Sequence, residues 1–299
     1  MKKIAILGST GMIGSGVTRR LTELGHSVSE FNRGSISVTG SNPAFELNVG
    51  RQKDASAFNQ LIGFDFIVNT VGVIRHKIDR RNVGQVEDAV YVNGVFPLKL
   101  DEFGLTNSIR VIQIGTDCVF SGSKGSYLEG DPFDPTDIYG YSKVIGETDL
   151  ESTMNLRVSV IGKELNSKIE LLEWVLHQTP NSAVNGFINH IWSGVTPFQL
   201  AQIIDGIVRR DLFIPRTQHL VPSNKVNKFE LVKMIAGYKP ESKLTINGIE
   251  TTNSVDRSLG TVNLSSNQAL WANAGYDELP TIQDMIREYM EWTGIDCSH

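Results

Sequence analysis

The chain has 299 residues, of which 40% are hydrophobic and 20% charged, and its net charge is −5 at neutral pH. This is the composition of a globular protein with a sizeable core. Its basic residues form no broad cationic face for nucleic acid, and no apolar stretch reaches the roughly 18 residues of a membrane span, so we expect a soluble protein. The two cysteines, Cys118 and Cys297, form no disulfide framework or zinc motif, which fits a reducing cytoplasm.

The first half of the chain alternates short apolar runs with helical patterns. Because apolar strands separated by helices build parallel sheets covered on both faces, this half predicts an α/β fold, a Rossmann-type doubly wound parallel sheet. The predicted first, fourth, fifth and sixth strands are 3–7, 64–69, 110–114 and 156–161. The second lies in the segment 27–33 and the third precedes residue 48. The predicted helices near them are 12–24, 54–62, 84–103 and 137–150.

The pattern loosens after residue 160. Helices are predicted near 168–177, 197–209, 226–236 and 280–293, separated by connections rich in Gly, Pro and Asn. We therefore expect a dinucleotide-binding domain over residues 1–160 and a smaller mixed substrate-binding lobe over residues 161–299. The boundary near residue 160 allows the chain to cross back from the second lobe to the first.

A glycine-rich loop, with the sequence GSTGMIG, directly follows the first strand. Glycines between a strand and a helix allow backbone N–H groups to approach a pyrophosphate at the helix N-terminus. We therefore expect a dinucleotide cofactor, held here by Gly8, Thr10, Gly11, Met12, Ile13 and Gly14.

The end of the second strand bears on the choice of cofactor. NAD sites usually place a carboxylate there for the ribose 2′-hydroxyl, but this segment ends in Asn32 and Arg33. Arg33 pairs well with a 2′-phosphate, unless it is a solvated loop charge, whereas Glu30 would repel that phosphate if it faced the site. NADP(H) is favoured and NAD(H) stays open. Further cofactor contacts are expected after the third and fourth strands, at Asn48, Val49, Thr70, Val71 and Gly72.

Three side chains suggest a proton-transfer site. Tyr139 and Lys143 are four residues apart at the start of a helix and share one face, but that spacing alone is close to chance. The Lys143 ammonium and a positively charged cofactor ring would together lower the pKa of the phenol. Thr116 follows the fifth strand, and ligands of open α/β sheets bind at the carboxyl ends of strands. Its hydroxyl is expected to hold a substrate oxygen, the alternative being an ordinary cap of a turn.

In combination these motifs resemble the extended short-chain dehydrogenases and, within them, the dTDP-4-dehydrorhamnose reductases. The resemblance implies that Thr116 orients a 4-keto oxygen, Tyr139 protonates it, Lys143 holds the nicotinamide ribose and Asn93 supports the site. It also implies reduction of a nucleotide-linked 4-keto-6-deoxy sugar by NADPH. The segments that carry the resemblance are the glycine loop, 91–93, 115–120, 139–143 with 146–147, and more faintly 156–158, 187–196 and 256–259.

Two departures from that family bear on the substrate. Gly115 and Cys118 stand where the reductases usually have Ser and Tyr, and Asp117-Cys118 replaces the Asp-Glu pair of the similar 4,6-dehydratases, which disfavours dehydration. The loop 70–76 also differs from the family's substrate-contacting run. Asp117, Arg157 and Trp192 are predicted to bind substrate, although a buried Trp is more often core. A basic cluster at the end of this loop either meets a diphosphate or is solvated: Arg75, His76 and Lys77.

Two alternative functions stay open at this point. An epimerase or reductase of another nucleotide sugar would keep the same three catalytic residues and differ in the second lobe. A regulatory subunit that binds NADP without catalysis would keep the fold. A homodimer is compatible with either, and nothing in the sequence decides the oligomeric state.

Overall fold

A computed structural model describes residues 2–50, 55–147, 151–165 and 167–295 of the chain. Cys297 therefore lies outside the described residues. Within them the strands are β1 (Lys3–Leu7), β2 (Ser27–Asn32), β3 (Ala44–Glu46), β4 (Phe66–Asn69), β5 (Arg110–Ile114), β6 (Thr153–Arg157), β7 (Ala183–Phe187), β8 (His190–Trp192), β9 (Thr217–His219), β10 (Val226–Asn227), β11 (Thr245–Ile249) and β12 (Val255–Asp256).

The helices cover both faces of the central sheet and much of the second half of the chain. They are α1 (Met12–Glu23), α2 (Val83–Val90), α3 (Phe96–Asn107), α4 (Ile138–Ile145), α5 (Leu171–Leu176), α6 (Pro197–Arg210), α7 (Lys228–Ala236), α8 (Leu264–Asn273) and α9 (Ile282–Thr293). None of the helices in the described ranges has the length and apolar character that crossing a bilayer requires.

The large sheet has seven parallel strands in the order β3-β2-β1-β4-β5-β6-β9. The strand order reverses between β1 and β4, as in doubly wound folds, and the crevice for a ligand opens above the carboxyl ends at that point. The predicted Rossmann-type fold is confirmed.

The sheet is apolar on both sides because its strands are buried between two cores. Along β1, Ile4 and Ile6 belong to the core beneath α1 and α6, whereas Ala5 and Leu7 belong to the core beneath α3. Successive strand residues point to opposite faces, so a run without polar alternation is what a sheet covered on both sides requires.

Most predicted helices have counterparts with shifted ends. The helix predicted at 84–103 lies within one continuous helical segment, in which a π-helical turn (Tyr91–Val95) joins α2 to α3. The region predicted as helix at 54–62 is a 3₁₀ segment over Ala55–Leu61, and its first residue lies outside the described residues. The helix predicted at 137–150 is α4, and residues 148–150 are likewise not described.

One strand was predicted with the wrong bounds, and helix α8 and the strands β7–β12 were not predicted. The sixth strand was expected at 156–161, but β6 ends at Arg157 and the following apolar residues form a buried connection in which Val160 bridges to Val195. A run of apolar residues indicates burial, but it does not distinguish a strand from a buried coil that follows the strand. Helix α8 was not predicted at all, because its first turns are polar, with the sequence SSNQ.

The chain returns to the large sheet after residue 160. Helix α6 packs on α1, where a Cβ at Gly16 would lie 2.4 Å from Pro197, and β9 pairs with β6 as the seventh strand. The remaining strands form a three-stranded sheet, β10-β8-β12, and a parallel pair, β11-β7. The division near residue 160 stays a prediction.

Candidate active site

The glycine loop between β1 and α1 is shaped by close backbone contacts. Gly8 has a φ of +82°, and the Gly11 amide donates to the Gly8 carbonyl at 2.9 Å. A Cβ at Gly14 would lie 2.2 Å from that same carbonyl oxygen and 2.7 Å from Thr70 Oγ1, so only glycine fits. Gly11 caps α1 without a side-chain hydrogen bond. The amides of Met12 and Ile13 in the first turn are therefore positioned to bind an anion.

The end of β2 is organised by two buried polar side chains. Asn32 donates to Ser9 Oγ at 2.9 Å and accepts from the amides of Gly34 and Ile36, which ties this turn to the glycine loop. The Glu30 carboxylate is fully buried and accepts hydrogen bonds from the loop over residues 37–39. Glu30 is thus occupied within its own loop, whereas Arg33 is exposed at the tip of the strand.

The ends of β3 and β4 complete the predicted cofactor side. Asn48 is exposed and Val49 half-buried just after β3, where the Leu47 amide donates to the Asn32 carbonyl at 2.9 Å. Thr70 Oγ1 donates to the Leu7 carbonyl at 2.7 Å. Val71, beside it, would touch a Cβ at Gly8. The structure therefore brings the predicted contacts of these two strands to the same edge of the sheet.

Asn93 links the loop after β4 to helix α4. It lies in the π-helical turn and is almost fully buried. Its Oδ1 accepts from the Val73 amide at 2.8 Å, and its Nδ2 donates to the Val73 carbonyl and to Ser142 Oγ, each at 2.9 Å. A Cβ at Gly72 would lie 3.3 Å from Lys143 Nζ, so this loop passes directly over the ammonium.

Thr116 and Asp117 are buried at the carboxyl end of β5. Thr116 caps the following 3₁₀ turn, accepting from the Cys118 amide at 3.2 Å, and its hydroxyl donates to Asp117 Oδ1 at 3.3 Å. Burial raises the pKa of Asp117, and the positive charges of Arg257 and Lys228 act against that rise. Burial also raises the pKa of the Cys118 thiol to about 12, so the sulfur stays protonated at neutral pH.

Helix α4 carries Tyr139 and Lys143 against this turn. Asp137 caps the helix by accepting from the Gly140 amide at 2.8 Å. A Cβ at Gly140 would lie 2.4 Å from the Cys118 carbonyl oxygen, so glycine allows the helix to approach the end of β5. This approach brings the Tyr139 phenol toward Thr116, whose hydroxyl acts to lower the pKa of the phenol.

The protonation of Tyr139 differs from the expectation. Burial raises the pKa of the phenol above its ordinary value, and the negative charge that Asp117 can carry adds to the rise, while the Thr116 hydrogen bond opposes it. Lys143 is not among the main causes of this shift in the protein alone. The phenol is consequently protonated at neutral pH.

Lys143 is buried beside a carboxylate. Burial lowers the pKa of its ammonium, and Glu147, four residues later, opposes that shift. Glu147 is anchored by Arg157, whose Nε and Nη2 donate to Oε2 at 3.0 and 2.5 Å. A Cβ at Gly115 would lie only 2.8 Å from Glu147 Oε1, which accounts for glycine where the resemblance has serine.

Two predicted substrate residues are not brought to this cleft. Arg157 is 1% exposed, and besides Glu147 it donates through Nη1 to His219 at 2.7 Å. Burial and the Arg157 charge hold the pKa of His219 at about 4, so the imidazole stays neutral and accepts. Trp192 is buried in the core and donates to Ser159 Oγ at 2.9 Å. Their hydrogen-bond partners hold both side chains inside the protein.

Two cationic side chains that the sequence reasoning missed lie near Asp117. Lys228 begins α7, and its Nζ is 5.6 Å from the centre of the Trp192 ring. Arg257 follows β12 and donates from Nε to the Phe120 carbonyl at 2.8 Å. The only advance signal was the segment 256–259 of the family resemblance, because both residues reach the cleft through pairings in the second half of the chain.

The first two residues of the basic cluster after β4 lie against carboxylates at the rim. Arg75 pairs with Asp137, the cap of α4, at 2.8 Å, and His76 lies 3.5 Å from Glu170. Lys77 is exposed. The first two residues therefore connect the loop after β4 to α4 and to the segment before α5.

A dinucleotide-binding loop and a Thr-Tyr-Lys cluster at neighbouring strand ends of a doubly wound sheet define an NAD(P)-dependent enzyme of the epimerase/reductase class. The chain belongs to the NAD dependent epimerase/dehydratase family, whose sequence pattern matches residues 4–211. The predicted family resemblance and nicotinamide dinucleotide cofactor are confirmed.

Known proteins extend the comparison. The chain is 28% identical over 149 residues to the spore coat polysaccharide biosynthesis protein SpsK of Bacillus subtilis (strain 168), a match that covers 49% of this chain and 47%, about half, of that protein. The fold of the present chain is similar to that of dTDP-4-dehydrorhamnose reductase from Bacillus anthracis str. Ames in complex with NADP. The identity is 18%, the TM-score is 0.75, and the match covers 97% of this chain and 99% of that chain. MoeE5 in complex with UDP-glucuronic acid and NAD is similar at 16% identity and a TM-score of 0.71, with coverage of 98% and 99%.

Proposed function

We propose that the protein reduces a nucleotide-linked 4-keto-6-deoxy sugar with NADPH. The observation that carries this proposal is the convergence of Thr116, Tyr139 and Lys143 beside the glycine loop. The fold shared with a dTDP-4-dehydrorhamnose reductase that binds NADP supports it.

In the proposed reaction the bound nicotinamide supplies a hydride to the keto carbon. Thr116 turns its hydroxyl from Asp117 to the keto oxygen, donates a hydrogen bond to it and holds it beside Tyr139. Tyr139, whose pKa burial raises, is protonated and delivers its proton to the oxygen as negative charge develops there. Lys143 holds the ribose and favours the phenolate that remains.

The second-lobe cations suit the other end of such a substrate. Arg257 lies beside Asp117 and brings a guanidinium to the cleft, and guanidinium groups pair well with phosphate oxygens. We infer that Arg257 binds the diphosphate of the nucleotide sugar.

A substrate panel tests the proposed function. Purified protein and NADPH are mixed with dTDP-, UDP- and GDP-linked 4-keto sugars, and the nicotinamide absorbance is followed. We expect NADPH oxidation with at least one compound. Tight binding of NADPH without oxidation by any of them would instead identify a regulatory subunit.

The preference for NADPH is assigned to Arg33. Replacing Arg33 with Ala is expected to raise the KM for NADPH by about 10- to 100-fold, because a charge-assisted hydrogen bond to the 2′-phosphate is lost. The KM for NADH should change by less than about threefold, since its ribose carries no phosphate. Arg210→Ala, at another exposed arginine, is the control. An unchanged ratio of the two KM values in Arg33→Ala would remove this role.

A further inference from the structure

The loop after β4 leads from the cofactor side of the active site toward the second half of the chain. Residues 72–78, which we call the strap, begin at Gly72, where a Cβ would lie 3.3 Å from Lys143 Nζ. Asn93 holds the start of the strap, because it binds the amide of Val73 at 2.8 Å and the carbonyl of Val73 at 2.9 Å. The strap therefore starts from a fixed point directly beside the Lys143 ammonium.

Beyond this point the strap has no place in the core. None of the residues 72–80 is buried, and the short 3₁₀ turn Arg75–Lys77 within this range is exposed. The Asp79 amide, just after the strap, donates to Gln85 Oε1 of α2 at 2.8 Å and fixes the other end. A segment that is fixed at both ends and has few buried apolar contacts between them opens at low cost.

Two side-chain contacts hold the middle of the strap in place. Arg75 Nε lies 2.8 Å from an oxygen of Asp137, the residue that caps α4 just before Tyr139. His76 Nδ1 lies 3.5 Å from Glu170 Oε1, in the segment between β6 and α5. Glu170 precedes α5 but makes no side-chain cap hydrogen bond to that helix. Its carboxylate is therefore available to the strap.

The strand order shows what lies beneath these contacts. β5 lies between β4 and β6 in the sheet. Because parallel strands end at one edge, a contact from the loop after β4 to the segment after β6 crosses the end of β5, where Thr116 lies. The other contact reaches the helix that carries Tyr139 and Lys143. The strap therefore spans the three residues of the candidate active site.

We propose that the strap is a gate over the active site, which opens at the Arg75–Asp137 and His76–Glu170 contacts when the nicotinamide end of the cofactor enters or leaves. Pairs between partly exposed side chains suit a gate, because they are weak and break readily. Loops that close over an active site exclude water and often limit the rate of release. The gate acts on the cofactor and does not depend on which sugar is reduced.

A covalent lock tests the gate. His76→Cys and Glu170→Cys are combined with Cys297→Ser, so that Cys118, whose buried thiol stays protonated, is the only other cysteine. The protein is loaded with NADPH, and a short bismaleimide then joins the two new thiols, which requires less exact geometry than a disulfide. The matched control is the same variant treated with N-ethylmaleimide, which caps both thiols without joining them.

Stopped-flow fluorescence follows the release of NADPH into excess NADP⁺. We expect the linked protein to release NADPH at least about tenfold more slowly than the capped control, because the strap can no longer open. Protein that is linked before NADPH is added should bind it more slowly by a similar factor. Equal rates in the linked and the capped protein would overturn the inference.

A second variant tests the two contacts without a link. Arg75→Gln combined with Glu170→Gln removes one charge from each contact, so the release of NADPH should be about 3- to 10-fold faster than in wild type. Arg81→Gln with Glu278→Gln makes the same two changes at exposed residues elsewhere and should leave the rate unchanged. Release at the wild-type rate from the variant at residues 75 and 170 would also overturn the inference.

The rate of release separates the gate from the proposed function, because it is measured without a sugar. Slow release from the linked protein, together with no oxidation of NADPH by any keto sugar, would contradict the reductase and leave the gate in place. Oxidation of NADPH by a keto sugar, together with equal release from the linked and the capped protein, would do the reverse.

Discussion

Replacing Tyr139 with Phe is expected to lower kcat for NADPH-dependent reduction by about 10²- to 10⁴-fold, the usual contribution of a general acid. Binding of NADPH should change little, because Lys143 and the glycine loop remain. The measurement is steady-state kinetics together with a fluorescence titration of NADPH. The matched control is Tyr141→Phe, which removes a hydroxyl from the same helix at a side chain that is 60% exposed.

The pH dependence of kcat tests the role of Tyr139 in a second way. Burial raises the pKa of Tyr139, so the phenol is protonated throughout the neutral range and the reductive kcat should be level there. The rate should fall only as the pH rises toward that raised pKa, because the proton donor is then lost. A Tyr139→Phe enzyme as fast as wild type, or a wild-type rate that falls with rising pH near neutrality, would contradict the assigned role.

Replacing Arg157 with Met is expected to lower the free energy of unfolding by about 3–5 kcal/mol, because the Glu147 carboxylate stays buried without its partner. The two side chains are 1% and 3% exposed and 2.5 Å apart. Urea unfolding measures the change. Arg287→Met is the control, since Arg287 pairs with Asp284 at the surface and such pairs contribute about 0–1 kcal/mol.

A double variant separates loss of the pair from loss of packing. Adding Glu147→Leu to Arg157→Met removes the uncompensated charge, so part of the lost stability should return. Equal losses for Arg157→Met and Arg287→Met would contradict the interpretation of Arg157 as the internal anchor of Glu147.

The sequence predicts the cofactor side of this molecule well because its signals are local. A glycine loop between a strand and a helix needs only neighbouring residues to be recognised, and Gly8 and Gly14 do make the close contacts that the motif requires. The ends of successive parallel strands also meet at one edge by topology. Thr116 and Tyr139 could therefore be expected at the same edge of the sheet.

The substrate side was harder to predict because it depends on tertiary contacts. Arg157 and Trp192 are chemically suited to bind a nucleotide, yet buried partners far along the chain, His219 and Ser159, hold them inside. Lys228 shows the reverse case. It resembles any helical surface lysine, and only the pairing of β10 with β8 brings its ammonium over the ring of the buried Trp192. Periodicity does not reveal such pairings.

The protonation of Tyr139 also escaped local reasoning. Residue types alone suggested that the nearby ammonium would lower its pKa, but desolvation by the surrounding fold is the largest effect and raises the pKa in the protein without cofactor. The size of a desolvation effect depends on packing that the spacing of two residues cannot supply.

In the proposed reaction a hydride passes from the nicotinamide to a keto sugar, and a proton from Tyr139 completes the reduction. Its most direct test is mass spectrometry of the product formed from NADPH carrying deuterium at the reactive C4 position, with the best substrate of the panel. The account predicts one deuterium per product molecule with wild type and with Tyr141→Phe, and a trace of product with Tyr139→Phe. Product without deuterium from either C4-deuterated epimer of NADPH, or a bound NADPH that no keto sugar oxidises, would contradict it.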